Sequence, residues 1–404
     1  MPVEVIGKIY ASKYFACSYL LRLFLLVIVL VSFSCNNETL NYSNTLNLNT
    51  HDLEYVGDVS LPLDNSSAVF FNSIQHNFDK NESHLYLFSW LTRDILVYNL
   101  LEETLVKKIE LNEIGPDGVG SLDSENSSMH VISRDSILIH NQKTRKIYLL
   151  NDEGVVIKSK VVSQKGLSEP FSFLDHPSLY MAGKNILTFP LRSNMNNPEL
   201  SSEYSAFTFN ITSGEMKFAA PYPKMFDDFP FGLHNYFYEV FLCEFDPKSY
   251  LVSFPGFPDI YHFSEENKLI NRYVIVDEKI GVPEKYEYEI HDLNEDFEPH
   301  NTYFMTTDVY GQIIKVNDEF YLREVIDAPS LEEYKTGSRN FSYSYLVLNS
   351  EMELKGRFDE IPDFKYDHTL QFTDDFGDFY LFNKEEYRKN EEFMVFDIFR
   401  VIEK

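Results

Sequence analysis

The chain has 404 residues and a formal net charge of −28. Such an acidic surface repels nucleic acid and anionic lipid headgroups, so nucleic-acid binding is excluded as a favoured function. It can attract cations or a basic partner, although solubility alone accounts for an acidic surface more simply. The 35 Phe and 27 Tyr residues, together with many short apolar runs, favour strands over helices.

The first 34 residues have the organisation of a signal peptide. Lys8, Lys13 and Arg22 form a basic region before an apolar run from Leu23 to Phe33. This run of about 11 residues is too short to cross a bilayer as a mature helix. It ends at Ser34-Cys35. Residues 1–34 are therefore predicted to be a cleaved leader.

A small residue followed by Cys35 at the end of such a run resembles the lipobox of bacterial lipoproteins, although Ser32 stands where that family prefers Leu. The resemblance implies that Cys35 is acylated and that the protein is lipid-anchored in the cell envelope. Asn36 and Asn37 favour the outer membrane and leave open the periplasmic or surface face. Two alternatives remain, namely a plain secretory signal and an uncleaved anchor from about Phe15 through Arg22.

Residues 35–52 are rich in Asn and Thr and poor in apolar side chains, which predicts a flexible tether. From residue 53 onward the chain repeats units of about four short strands joined by polar turns, spaced roughly 40 to 65 residues apart. One unit contains His84–Phe88, Ile95–Asn99 and Leu105–Ile109. The longest helical pattern is short, at Ser330–Lys335.

The repeat predicts an all-β fold for residues 53–404, a six-bladed β-propeller of four-stranded antiparallel blades. Packing six such sheets around an axis buries faces that one sheet cannot bury alone. The last unit has three good strands of its own, so Leu53–Leu61 is predicted to supply its outer strand and close the ring. The alternative is a β-sandwich with a second β-domain.

This pattern resembles the six-bladed propellers of the NHL and TolB type, and a lipidated Cys before such a ring resembles uncharacterised propeller lipoproteins. Ile114–Gly120 is the counterpart of their Gly-Pro-Gly-Glu-like loop. The resemblance carries no catalytic assignment. The loop lacks the Lys-Ser/Thr and the following helix of a phosphate cradle, so it is interpreted as a turn that uses Gly for positive φ.

Potential metal or acid–base residues are plentiful but unpatterned. Adjacent carboxylates, such as Asp374-Asp375 and Glu385-Glu386, point to opposite faces of a strand and are interpreted as solvated turns. His291–His300 lacks zinc or EF-hand spacing and is predicted to be an acidic inter-blade loop. Cys243 is predicted to be a buried hydrophobe. No catalytic residue, metal site or cofactor is predicted.

Three histidines, His84, His130 and His368, stand near the starts of units. Their convergence on the propeller axis would create a metal site, but structural roles are favoured. The aromatic segment Pro221–Tyr238 is a stronger candidate for binding a glycan or a peptide. Its predicted binding residues are Phe229, Phe231, His234 and Tyr236. The alternative is that its aromatic rings pin a long loop onto the propeller.

The favoured function is a non-enzymatic, membrane-tethered lipoprotein whose propeller binds a protein, peptide or glycan. One alternative is a hydrolase or lyase with a metal or carboxylates in the axial funnel. The other is a sensor or regulatory subunit of an envelope complex. Fold alone does not decide among these classes.

Overall fold

The computed structural model describes residues 40–42, 50–64, 70–79, 82–122, 127–141, 143–162, 179–181, 186–190, 204–223, 237, 239–277, 279–281, 297–362 and 364–404. Contacts divide the chain into residues 1–40 and residues 41–404, and the fold is that of the second unit. Cys35, Phe229, Phe231, His234 and Tyr236 lie outside the described residues. No helix in the described part is both long and apolar enough to cross a membrane.

The described strands form six sheets. Two strands precede the repeated units, β1 (Leu40–Tyr42) and β2 (His51–Pro62). The first sheet contains β3 (Ser73–Asp79), β4 (Glu82–Ser89), β5 (Asp94–Asn99) and β6 (Thr104–Glu110). The second contains β7 (Ser127–Ser133), β8 (Ser136–Asn141), β9 (Lys146–Leu150) and β10 (Val156–Val161). The third contains β11 (Leu179–Met181), β12 (Ile186–Pro190), β13 (Tyr204–Asn210) and β14 (Met216–Pro221).

The remaining sheets follow the same order. The fourth contains β15 (Phe241–Asp246), β16 (Ser249–Ser253), β17 (Asp259–Ser264) and β18 (Leu269–Val274), with β1 paired to β18. The fifth contains β19 (Val309–Lys315), β20 (Phe320–Asp327), β21 (Ser342–Asn349) and β22 (Leu354–Pro362). The sixth contains β23 (Tyr366–Thr373), β24 (Asp378–Asn383), β25 (Phe393–Glu403) and β2. The described helices are α1 (Phe297–Thr306), α2 (Leu331–Lys335) and α3 (Lys384–Lys389).

The sheets follow one another around a ring. The first strand of each sheet contacts the first strand of the next, and β23 contacts β3, so the ring is closed. Five sheets are the predicted four-stranded antiparallel blades, whereas the fourth has a fifth strand, β1. The prediction that the N-terminal strand closes the last blade is confirmed, since β2 pairs antiparallel with β25 from His51↔Glu403 to Pro62↔Phe393. β2 begins two residues before the predicted start at Leu53.

Apolar side chains fill the space between neighbouring sheets. Phe88 and Val97 of the first sheet share one buried cluster with Met129 and Ile139 of the second. Because strand side chains alternate between faces, each sheet contributes one set of residues to the cluster on either side of it. Cys243 lies in such a cluster, and burial raises the pKa of its thiol to about 12, which confirms its interpretation as a buried hydrophobe.

A polar side chain shapes the turn after the third strand in each of the first five sheets. In the first five sheets its oxygen accepts backbone N–H groups of the turn residues that follow. These side chains are Asn99, Asn151, Asn210, Ser264 and Asn349. In the sixth sheet Asn383 ends β24, the second strand, and its side chain accepts from the Glu386 N–H and begins α3. The connection between the second and third strands contains a helix in both the fifth and the sixth sheets, α2 and α3 respectively.

Two local predictions are confirmed and one is wrong. The helix predicted at Ser330–Lys335 is present as α2, which begins with a capping box formed by Ser330 and Glu333, and Gly115 and Gly120 adopt the predicted positive φ. The acidic loop predicted for His291–His300 is wrong for its described end, because α1 begins at Phe297. The rings of Tyr303 and Phe304 contact Phe237 at centroid distances of 5.5 and 6.1 Å, and this burial stabilises the helix.

Candidate binding cleft

A cavity of about 730 Å³ lies between the fifth and sixth sheets. It is bounded by β2, β25 and β22, and by residues around the start of β23 and the end of β24. Five carboxylates line it: Asp58, Asp359, Glu385, Glu386 and Asp397. Four aromatic rings line it as well: Tyr55, Phe358, Tyr366 and Phe399. We call this cavity, with these residues and Lys365, the acidic cleft.

Strand pairing places these residues on one wall. Asp58 lies opposite Asp397, and Tyr55 lies opposite Phe399. Strict alternation would put Tyr55 and Asp58 on opposite faces of β2. A β-bulge between Tyr55 and Gly57 inserts one extra residue and returns Tyr55 to the face of Asp58. The bulge therefore adds an aromatic ring to the acidic wall.

Asp397 is buried in the cleft and holds three donors around its carboxylate. The hydroxyl of Tyr366 donates to Oδ2 at 2.6 Å, and Nδ2 of Asn383 lies 3.1 Å from both oxygens. The ammonium of Lys365 lies 3.5 Å from Oδ2 and 4.6 Å from the centroid of the Tyr366 ring. Burial, and then the hydrogen bond to Asp397, raise the pKa of Tyr366 well above its usual value.

The helix α3 forms the rim beside Asp397. The backbone N–H of Glu385 donates to the carbonyl of Lys365 at 3.3 Å, and Arg388 donates to the carbonyl of Phe364 at 3.2 Å. These bonds fasten the start of β23 to the helix. The carboxylates of Glu385 and Glu386 remain exposed at the cleft mouth. Asn383 connects α3 with Asp397, because its side-chain oxygen caps the helix and its side-chain nitrogen donates to the Asp397 carboxylate.

On the β22 wall of the cleft, the negative charge of Asp359 is balanced by two basic side chains. Asp359 of β22 accepts from Arg357 Nε and lies 2.8 Å from the ammonium of Lys279. Burial alone would lower the pKa of Arg357, but its bonds to Asp359 and Asp277 raise it. The guanidinium therefore stays charged and holds Asp359 in place. On the α3 side the ammonium of Lys389 lies 3.5 Å from the Glu385 carboxylate and 2.7 Å from that of Glu386, and it offsets part of their charge.

The cleft is suited to binding a positively charged group. Carboxylates attract a cation, and aromatic faces bind it through their quadrupole. Its lining residues include no His or Cys. β2 and β22 are the edge strands of their sheets on the side opposite the first strands, β23 and β19. They are therefore the strands farthest from the closed ring of first strands. The cleft is therefore separate from an axial funnel, where the enzymatic alternative placed its chemistry.

The three histidines occupy different environments. His84 lies on β4, the second strand of its sheet, whereas His130 and His368 lie on first strands. His368 stacks on Tyr343 at 3.4 Å between ring centroids, and its Nδ1 lies 2.9 Å from the hydroxyl of Tyr345. Among the described residues, no three His, Cys, Asp or Glu side chains are placed to hold a metal ion. The structure does not bring these three histidines together.

Sequence reasoning missed the acidic cleft, although two signals point to it. Asp397 interrupts an otherwise apolar stretch of β25, where an acidic side chain needs buried partners. Asn383, a residue type favoured at helix N-caps, is followed by the helix-favouring residues Lys384, Glu385 and Glu386. The sequence predicts the pair Glu385-Glu386 to be a solvated turn. Its residues are exposed as expected, yet they belong to a helix at the cleft mouth.

The chain resembles a known protein family in sequence and solved structures in fold. Residues 43–323 match the family described as "Domain of unknown function (DUF4221)". The chain belongs to the DUF4221 family. A DUF4221 family member from Bacteroides vulgatus aligns with a TM-score of 0.72 at 15% identity, over 89% of this chain and 100% of that one. A putative exported protein from Bacteroides fragilis aligns with a TM-score of 0.53 at 10% identity, over 90% and 98%.

No curated protein sequence matches the chain significantly. At these identities the DUF4221 and exported-protein structures show the fold alone. The predicted all-β propeller is thus confirmed at the level of four-stranded antiparallel blades. The family match ends at Arg323, and most of the acidic cleft lies C-terminal to that residue.

Proposed function

We propose that this DUF4221 protein is a non-enzymatic binding protein whose six sheets act as one propeller and whose acidic cleft binds a basic peptide segment of a partner. The observation that supports it is the buried carboxylate of Asp397 in a cavity of about 730 Å³ with acidic and aromatic walls. A cavity of this size accommodates one or two side chains of a peptide. The net charge of −28 adds long-range attraction for a basic partner.

Charge complementarity favours a basic partner over a neutral one. Lys365 is the one basic side chain among the lining residues, against five carboxylates. Glu385 and Glu386 are exposed at the mouth, where they act on an approaching ligand before the walls contact it. The rings of Tyr55, Phe358 and Phe399 provide apolar surface for the neighbouring side chains of the peptide.

The rim carboxylates provide the test. The full chain, purified in detergent, is titrated with an acetylated, amidated peptide Gly-Phe-Lys-Phe-Gly and with its Glu-for-Lys counterpart. We expect binding of the Lys peptide only. The double variant Glu385→Gln/Glu386→Gln is expected to weaken that binding about three- to tenfold.

The matched control is Glu319→Gln/Glu351→Gln, which removes the same charge from exposed turn residues outside the cleft. It should change the affinity less than about twofold, because screened charges beyond a Debye length act weakly. Equal weakening by both double variants, or preference for the Glu peptide, would contradict binding in the cleft.

We further propose that the protein is a lipoprotein, acylated at Cys35 and held in the cell envelope at the outer membrane, which would place the acidic cleft near exported partners. The support is the sequence: a basic region, an apolar run and Ser34-Cys35. Cys35→Ala is expected to move the protein from the membrane fraction to the soluble fraction, measured by detergent-free fractionation. Cys243→Ala is the control, since its thiol is buried. A Cys35→Ala protein that stays with the membrane would exclude the lipid anchor.

A further inference from the structure

The ammonium of Lys365 lies beside the buried carboxylate of the acidic cleft. It lies 3.5 Å from Oδ2 of Asp397 and 4.6 Å from the centroid of the Tyr366 ring. A carboxylate edge next to an aromatic face is the environment that binds an ammonium group in many recognition sites. Lys365 keeps 36% of its side chain exposed, whereas Asp397 keeps 7%. The cation is therefore much more exposed to solvent than the carboxylate that holds it.

The other partners of Asp397 decide which cation fits. Nδ2 of Asn383 is equidistant, at 3.1 Å, from Oδ1 and Oδ2, so it lies between the two oxygens. That is the position from which a guanidinium would form its two parallel hydrogen bonds to a carboxylate. The hydroxyl of Tyr366 occupies a further acceptor position of Oδ2. A cation can then reach the Asp397 carboxylate only at one oxygen, from the side. This position suits an ammonium, whose charge is compact.

We propose that Asp397 and the ring of Tyr366 form a subsite for a lysine side chain of the partner, and that Lys365 occupies this subsite until the partner's lysine displaces it. The inference rests on the proposed function of the acidic cleft. Lys365 acts as an internal competitor, so it lowers affinity for basic ligands and raises selectivity against weak ones. The side chain can withdraw without breaking the fold, because its carbonyl, not its ammonium, binds α3.

The distinguishing experiment removes Lys365. The full chain in detergent is titrated with the peptides Gly-Phe-Lys-Phe-Gly and Gly-Phe-Arg-Phe-Gly, both acetylated and amidated, by isothermal titration calorimetry. Lys365→Met is expected to bind the Lys peptide about three- to tenfold tighter than the natural protein, because the competing pair is lost. The Arg peptide should gain less than about twofold, since the guanidinium position is taken by Asn383.

Two further variants make the result specific. Lys217→Met removes the same charge from an exposed lysine of the third sheet, which lies 3.2 Å from Glu215. It should leave both affinities within about 1.5-fold, because a distant charge is screened. Lys365→Gln keeps polarity without charge and should reproduce Lys365→Met. Thermal melts of the two Lys365 variants check that the fold is retained.

Each outcome separates the two proposals. Tighter Lys-peptide binding by both Lys365 variants, with Lys217→Met unchanged, supports the lysine subsite. Unchanged or weaker binding by the Lys365 variants overturns the internal competitor, while the binding function stands if the natural protein still binds the peptide. An equal gain for the Arg peptide overturns the lysine preference. Absence of binding by all variants overturns the proposed function as well.

Discussion

Replacing Arg323 with Met is expected to lower the free energy of unfolding by about 3 to 5 kcal/mol. Arg323 of β20 is fully buried and joins two sheets. Its Nη1 donates to the carbonyl of Pro258 at 2.6 Å, and its Nη2 donates to the carbonyl of Phe257 at 2.9 Å. Its guanidinium lies 4.3 Å from the centroid of the Tyr310 ring. Met fills the volume of the stem but leaves both carbonyls without this donor.

Burial lowers the pKa of Arg323 to about 10, which shows the cost of holding the charge in the interior. The desolvation cost of the buried guanidinium opposes the stabilisation by its two hydrogen bonds. The measured change in the free energy of unfolding therefore shows which of the two is larger. Urea denaturation followed by circular dichroism provides the free energy. Arg134→Met is the control, because Arg134 is exposed and pairs with Glu82 at 2.9 Å; its loss should stay below about 1 kcal/mol. A loss below 1 kcal/mol for Arg323→Met would mean that desolvation cancels the bonds.

Replacing Asp397 with Asn is expected to weaken binding of the lysine peptide strongly and to destabilise the propeller by about 2 kcal/mol. Asn has one acceptor oxygen and one amide nitrogen. Its nitrogen must face a donor, either Tyr366 or Asn383, since both currently donate to Asp397. The negative charge that attracts the ligand's ammonium is lost at the same time. We expect affinity for the Lys peptide to fall at least about tenfold.

Asp58→Asn is the matched comparison within the acidic cleft. Asp58 is exposed on β2 directly opposite Asp397, and its carboxylate accepts from Tyr55 at 3.2 Å. Its replacement should change the free energy of unfolding by less than about 0.5 kcal/mol and weaken peptide binding only modestly. Similar effects of the two substitutions on stability and on affinity would argue against Asp397 as the centre of the site.

The repeated fold could be predicted because its determinants are local. Residues such as Asn99 and Asn349 end a strand and bond to the turn that follows, so short apolar runs and polar turns locate the strands. Leu53–Leu61 could be assigned to the last blade because that unit lacked a fourth strand. The helix α1 was missed because its stability comes from Tyr303 and Phe304 contacting the distant Phe237.

The candidate site could not be predicted in the same way. Asp58 and Asp397 are far apart in sequence and meet only because β2 closes the ring. Tyr55 reaches the same wall through a bulge that the sequence pattern does not reveal. The aromatic residues predicted for binding, Phe229, Phe231, His234 and Tyr236, lie outside the described residues and remain a prediction.

The pairing of β2 with β25 has a consequence for folding kinetics. β2 is synthesised first among the strands of the sixth sheet, but it cannot pair until β25, the last of them, has been made. Lys404, just after β25, donates its backbone N–H to the carbonyl of Thr50, just before β2. Contacts of such sequence separation slow folding, because most of the loop entropy is lost before they form. Until β25 has been synthesised and has left the ribosome, β2 has an unpaired edge that can associate with other strands. Loss of a few C-terminal residues should therefore affect solubility more than loss of the same number from a loop.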